Sequence, residues 1–235
     1  TLLSHKIDNG DAQPIKRKYY PISPAKEKLL FAELNRMLEL GVIEESTSAW
    51  SSPVATIIKP GKTRMCIDSR GLNKVTRKDA YPIPNIEGLL MRLSNTCFIS
   101  ALDLKDAFWQ IPLDDASKEK TAFTVAGRPL YQFTVMPFGL CNAPQTMSRL
   151  MDIVIPSELR QRVFVYLDDL LVFSNSFDEH LILLEKVAQC FVRAGLTLNV
   201  KKSKFCMREV NYLGYIVGEG GIRTNDEKVA AINKY

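Results

Sequence analysis

Histidine is nearly missing from this chain. Only His5 and His180 occur, too few and too far apart for a structural zinc site or a histidine-centred hydrolase. Cysteine gives no framework either: Cys66, Cys97, Cys141, Cys190 and Cys206 are odd in number, widely spaced and without a C-x-x-C pair. They read as reduced thiols of an intracellular protein. No uninterrupted apolar run reaches the roughly 18 residues of a membrane span, and no signal-peptide core opens the chain, so no membrane partner is expected. Internal repeats and low-complexity tracts are absent. The chain begins with Thr1 rather than Met and reads as a piece of a longer protein.

What is present supports a packed core. Hydrophobic residues make up 46% of 235 positions, enough for one large domain or two subdomains and against disorder. Lys and Arg total 31 against 26 Asp and Glu, a net +5 that leans mildly toward polyanionic partners. Clustering says more than the total. Lys59, Lys62, Arg64, Arg70, Lys74, Arg77 and Lys78 fall in one stretch opposed only by Asp68; the plainer reading is a solvated loop.

The hardest feature to explain by folding alone is Asp168-Asp169 inside the apolar run Val163 to Phe173. Its β-branched and aromatic flanks predict two short strands with the acids at or beside the turn. Like charges about 4 Å apart repel by roughly 4 kcal/mol at an effective dielectric near 20, so the pair should take up protons or hold a cation. Oxygen-only ligation suits magnesium. A second strand-like run, Cys97 to Leu102, delivers Asp103 at its end. Acids from separate strand ends can converge on two metals that support in-line phosphoryl transfer. The plainer readings are an acidic turn for the pair and a helix N-cap for Asp103. Adjacent side chains on a strand point to opposite faces, so Asp168 and Asp169 cannot both aim at one ion unless the turn bends them.

Taken in order, Ser51-Ser52-Pro53-Val54, Arg64-Met65-Cys66-Ile67-Asp68-Ser69-Arg70-Gly71-Leu72-Asn73-Lys74, Leu102-Asp103-Leu104-Lys105-Asp106-Ala107-Phe108, Met136-Pro137-Phe138-Gly139-Leu140, Tyr166-Leu167-Asp168-Asp169 and Asn211-Tyr212-Leu213-Gly214-Tyr215-Ile216-Val217 resemble reverse transcriptases. The likeness is to the retrovirus-like polyproteins of gypsy-type long-terminal-repeat retrotransposons and covers nearly the whole chain. It implies an α+β right-hand polymerase fold, with a palm built on an antiparallel sheet, a fingers subdomain and a truncated thumb. The implied division is an extended lead-in at 1–22, mainly fingers with the start of the palm at 23–96, mainly palm with a fingers insertion around 112–145 at 97–217, and the start of a thumb at 218–235.

The resemblance also implies roles. Asp103 and Asp168 would be the primary ligands of two Mg2+ ions, with Mn2+ as a substitute, and Asp169 a supporting acid. Lys59, Lys62 and Arg64 would clamp the incoming triphosphate, the planar guanidinium holding two oxygens at once. Phe108 would wall off the 2′ position of the sugar, and Phe138 with Gly139 would line the nucleotide pocket. Many retroviral enzymes carry Gln at the position of Phe138, so no polar contact is carried over there. Leu213, Gly214 and Tyr215 would form a primer grip, a tight hairpin whose backbone approaches the primer end, Arg70 and Asn73 would contact the template, and Lys201 or Lys202 would lie near the departing pyrophosphate. Core packing is the plainer reading of Phe108 and of the Leu213 segment, and a solvated face that of at least one of Lys201, Lys202 and Lys204.

Local patterns predict the elements. A helix runs from Pro24 to about Leu40, stopped by Gly41, with the stripe Leu30, Leu34, Met37 and Leu38. Residues 46–52 form a loop, and Val54–Lys59 pairs with Arg64–Asp68 through Pro60-Gly61. Helices are expected over Pro84–Leu93, Lys105–Gln110 and Ala143–Ile153, and strands over Thr121–Val125 and Tyr131–Val135. Ser176-Phe177-Asp178-Glu179 is a capping box ahead of a helix with apolar positions Leu181, Leu184, Val187, Ala188 and Phe191, ending at Gly195. Tyr212–Val217 is a last strand, and Gly218-Glu219-Gly220-Gly221 precedes a final helix.

The resulting expectation is an RNA-directed DNA polymerase acting on an RNA or DNA template with annealed primer and deoxynucleoside triphosphates. It would be cytoplasmic within a virus-like particle, with nuclear entry of the complex and dimerisation through regions beyond this segment. Two rivals stand beside it: an RNA-dependent RNA polymerase, which Phe108 argues against, and a decayed or host-captured nucleic-acid-binding remnant, which the three acids argue against.

Overall fold

The computed structural model describes residues 2–59, 62–85, 96–219 and 221–224, the backbone alone at 57–59, 62–64 and 224. The expected connection through Pro60-Gly61, most of the helix expected over Pro84–Leu93 and the expected final helix lie outside these residues. The chain divides into two compact units, the first holding Leu3–Ala80 and Asp106–Thr146, the second Tyr81–Lys105 and the chain from Met147 on.

In the first unit the helix Pro24–Glu39 starts on a proline whose missing N–H needs no partner there, and it buries Leu30, Leu34 and Met37. It ends where predicted, because Gly41 takes φ +66°, which lets its N–H donate to Leu38 O and the Val42 N–H to Met37 O. A five-stranded sheet follows in the order β1 (Ile43–Glu45), β6 (Tyr131–Phe133), β5 (Phe123–Thr124), β2 (Ser52–Lys59) and β3 (Lys62–Ile67). β2 and β3 form the expected antiparallel hairpin, from Val54 opposite Ile67 to Lys59 opposite Lys62. β1 was not expected. β5 is shorter than expected because Glu119–Thr121 winds into a 3-10 turn. The helix expected over Lys105–Gln110 is a 3-10 turn over Ala107–Gln110, since Asp106 before it adopts φ +46°.

The second unit carries a four-stranded sheet in the order β7 (Val163–Tyr166), β8 (Asp169–Ser174), β4 (Phe98–Asp103) and β9 (Lys204–Met207). Beside it lies a smaller antiparallel sheet of β10 (Glu209–Tyr212), β11 (Tyr215–Gly218) and β12 (Gly221–Thr224). Ile99, Leu171, Phe173, Val210, Tyr212 and Val217 form the core between the two sheets; each such side chain contributes about 1.5–3 kcal/mol by leaving water. The single strand expected over Tyr212–Val217 is instead two strands, because Leu213 and Gly214 both take positive φ and reverse the chain in two residues.

The helix Phe177–Ala194 is capped as predicted, the Glu179 N–H donating to Ser176 Oγ and Gly195 closing it at φ +69°. Its buried face is corrected to His180, Leu183, Val187, Cys190 and Phe191, while Leu181 is 46% exposed. A polar ring displaced the hydropathy reading. His180 is fully buried, with Nε2 2.7 Å from Ser100 Oγ and Nδ1 3.0 Å from Ser174 Oγ. Those two bonds tie the helix to β4 and β8. No helix among the described residues is long and apolar enough to cross a membrane.

Candidate active site

β4 and β8 run antiparallel in a register that sets Asp103 directly opposite Asp169 at the end of the ladder. Cross-strand partners share one face, with Cβ atoms about 4.5–5.5 Å apart, and like charges so placed destabilise a sheet. The β7–β8 hairpin closes on Tyr166 opposite Asp169, which leaves Leu167 and Asp168 to make the turn. Leu167 adopts φ +57°, a left-handed conformation that costs a branched side chain on the order of 1–3 kcal/mol. Asp168 is thereby taken out of the strand alternation. The bend that the sequence required of the acid pair is this turn.

Asp168 and Asp169 both sense their acidic neighbours. Burial, then the charges of Asp168 and Asp103, push Asp169 up from 3.8 to about 6. Burial also raises Asp168, with Asp103 adding to the shift. Lys202 pulls both back and places Nζ 3.4 Å from Asp103 Oδ2, in a half-exposed contact of small worth. A cleft of about 350 Å³ is lined by Asp103, Asp169, Lys202, Lys204, Tyr212 and Leu213, among others, so Leu213 of the expected primer grip shares a cavity with two of the acids. Lys201 is exposed on the turn beside Lys202.

The donor set fits a hard divalent cation, because it is all carboxylate oxygen and its mutual repulsion is relieved by positive charge. Among the described residues no three His, Cys, Asp or Glu side chains are already gathered closely enough to hold an ion. Magnesium, which takes one or two carboxylates and completes its shell with water and phosphate oxygens, asks for no such cage.

The remaining expected residues lie in the first unit, except Gly214 and Tyr215 at the β10–β11 turn. Phe108 and Phe138 form a tilted ring pair with centroids 5.0 Å apart, Phe108 half-buried and Phe138 40% exposed. Gly139 sits at φ +96°, a conformation open to glycine. Asn73 spends its side-chain amide on that loop, donating to Gly139 O at 2.8 Å and accepting from the Cys141 N–H at 2.9 Å. Arg70 donates through Nε and Nη2 to the two oxygens of Asp68, both at 2.8 Å. Asp68 also accepts from the Tyr20 hydroxyl and Arg17 Nη1, and with Arg70 the largest influence its carboxyl is held well below the usual range. Lys59 and Lys62 face each other at the end of the β2–β3 register and Arg64 lies opposite Ile57; their side chains lie outside the described residues.

Several partners escaped the sequence reading. The Asp103 N–H donates to Ser203 Oγ at 3.1 Å and the Asn199 N–H donates to Asp103 O at 2.7 Å. The Tyr212 hydroxyl donates to Asp169 O at 3.1 Å. No local pattern marks Ser203 or Asn199, and Tyr212 reads as an ordinary strand aromatic.

The chain is similar to known proteins. A polyprotein of transposon 297 from Drosophila melanogaster is 38% identical over 99% of this chain and 22% of its own length. That of transposon gypsy from the same fly is 33% identical over 100% of the chain and 23% of its own length. The enzymatic polyprotein of Cauliflower mosaic virus (strain Strasbourg) is 33% identical over 95% of the chain and 33% of its own length. Among solved structures, a foamy viral protease-reverse transcriptase in complex with dsDNA superposes with a TM-score of 0.90 at 28% identity, covering 100% of this chain and 49% of that one. The same kind of protein with an RNA/DNA hybrid gives 0.85 at 28% identity, over 98% of this chain and 31% of that one. The fold is therefore the right-hand polymerase fold, and this chain spans less than a quarter of the fly polyproteins. Residues 53–217 match the reverse transcriptase (RNA-dependent DNA polymerase) family, and the chain belongs to that family.

Proposed function

We propose that the chain is the polymerase portion of a retroelement polyprotein and extends a primer with deoxynucleoside triphosphates on an RNA or DNA template. The observation that carries this reading is the Asp103–Asp169 cross-strand pair with Asp168 at the adjoining turn. In it the four-stranded sheet belongs to the palm and the β2–β3 hairpin to the fingers. Reverse transcriptases in general depend on divalent metal; Asp103, Asp168 and Asp169 would hold two Mg2+ ions, or Mn2+ in their place. Bound there, the metal would lower the pKa of the primer 3′-hydroxyl and neutralise charge on the triphosphate. The acids fix where that charge sits. Water takes the proton, because neither histidine is available: His5 bonds Thr146 Oγ1 and His180 lies between Ser100 and Ser174.

Arg64, Lys59 and Lys62 carry the triphosphate-binding role and Phe108 the sugar-selecting one on the strength of the resemblance. The Phe108–Phe138 pair supports the latter, since a ring braced by a second ring is a stiff wall. The test is extension of a primer annealed to an RNA template, by wild type and by Asp103→Asn. Extension by wild type and loss in the variant are expected; full extension by Asp103→Asn overturns the metal assignment.

A further inference from the structure

We infer that Ser203 and Tyr212 are positioning residues that hold the Asp103–Asp169 pair at its working separation, a role that rests on the reading of the pair as the metal-binding acids. Asp103 and Asp169 are the last partners of the β4–β8 ladder. The N–H of Asp103 donates to Ser203 Oγ and its C=O accepts from the Asn199 N–H, so both backbone groups face away from β8. In an antiparallel ladder a residue so disposed belongs to a non-hydrogen-bonded pair, the kind whose side chains approach most closely. The two acids are therefore brought near each other at a point where no direct backbone bond joins them, and their like charges push the strand ends apart.

Two hydroxyls oppose that push without touching either carboxylate. Ser203 Oγ receives the Asp103 N–H and donates to Asn199 O at 2.9 Å. One turn therefore holds Asp103 by both backbone groups. On the other strand the buried Tyr212 ring directs its hydroxyl to Asp169 O at 3.1 Å. A buried tyrosine hydroxyl needs such a partner. Tyr212 also immediately precedes the Leu213-Gly214 turn, so one residue links the acid-bearing strand to the hairpin expected to meet the primer end.

The experiment measures Mn2+ binding by electron paramagnetic resonance on this chain without nucleic acid, in wild type, Tyr212→Phe, Ser203→Ala, Ser203→Thr and Asp103→Asn. Loss of a partner behind a metal ligand weakens affinity by about 10- to 100-fold, and a weakening of about tenfold is expected in Tyr212→Phe and Ser203→Ala. Ser203→Thr keeps the hydroxyl and should restore the wild-type value. In primer extension the same two variants should lower kcat while leaving KM for the nucleotide unchanged. Tyr212→Phe is isosteric, and a thermal unfolding curve separates any loss of fold from loss of binding. Wild-type Mn2+ affinity in folded Tyr212→Phe and Ser203→Ala, with binding lost in Asp103→Asn, overturns the positioning role alone. Full Mn2+ binding and extension by Asp103→Asn overturns the reading on which it rests.

Discussion

Tyr166 and Asp169 close the β7–β8 hairpin as its final pair, so the whole reversal falls on Leu167 and Asp168. The backbone strain of that reversal sits on Leu167 at φ +57°, one residue before an acid expected to bind metal. A left-handed conformation costs an ordinary residue roughly 1–2 kcal/mol. Glycine removes that cost but loses about 0.4–1 kcal/mol through the freedom it adds to the unfolded chain. Leu167→Gly should therefore stabilise the protein by on the order of 0.5–1 kcal/mol in urea unfolding. A net loss would show that packing of the leucine side chain outweighs the backbone strain.

The acid pair gives a pH dependence of definite sign. Asp169 titrates near 6 in the folded protein against 3.8 ordinarily, so without metal its charged form destabilises the fold. That contribution is largest above pH 6 and is relieved as pH falls through about 6 toward 4. Asp169→Asn should unfold at a higher temperature than wild type at pH 7 and lack this dependence, while losing extension by a factor on the order of 100 or more. If the variant were less stable than wild type in metal-free buffer at pH 7, burial and repulsion of the Asp169 charge would not be the dominant local effect.

His5 acts with the opposite sign. Burial lowers its pKa from 6.5 to about 4, so the folded protein binds this proton less readily than the unfolded chain does. Its contribution to stability is fully present above pH 6.5 and is lost as pH falls toward 4. The difference in unfolding free energy between wild type and His5→Asn should shrink over that interval. A difference that stays constant from pH 7 to pH 4 would mean that His5 titrates normally.

Much of this was legible from sequence because local physics set it. Asp103, Asp168 and Asp169 stood out as charges in runs otherwise fit for burial, and Pro24, Gly41, Ser176 and Gly195 marked helix ends through backbone chemistry that acts within a few residues. What sequence could not show depends on partners far along the chain. The opposition of Asp103 and Asp169 is a matter of strand register, and the grips of Ser203 and Tyr212 follow from it. The buried face of the helix Phe177–Ala194 was misjudged because Ser100 and Ser174 satisfy His180 from other strands, making a polar ring a core residue. The break at Leu213-Gly214 is a tight hairpin in the family resemblance but one strand in the local pattern, because a leucine rarely takes the φ of +50° that it has here.

The last prediction concerns the sugar. Phe108 is half-buried and braced by Phe138 at 5.0 Å, so its ring has little room to yield. Phe108→Val removes that ring and leaves Asp103, Asp168 and Asp169 in place. Steric overlap with a 2′-hydroxyl rises far more steeply than the gain from a packing contact, so shrinking the wall relieves the ribonucleotide selectively. The ratio of kcat/KM for a ribonucleotide to that for the matching deoxynucleotide should rise by about 10- to 100-fold. Stability should fall by on the order of 1–2 kcal/mol, since Phe138 loses its partner and a partly filled space remains. An unchanged ratio in a folded, active variant would make Phe108 a packing residue for Phe138 and return the choice between a DNA-making and an RNA-making polymerase to experiment.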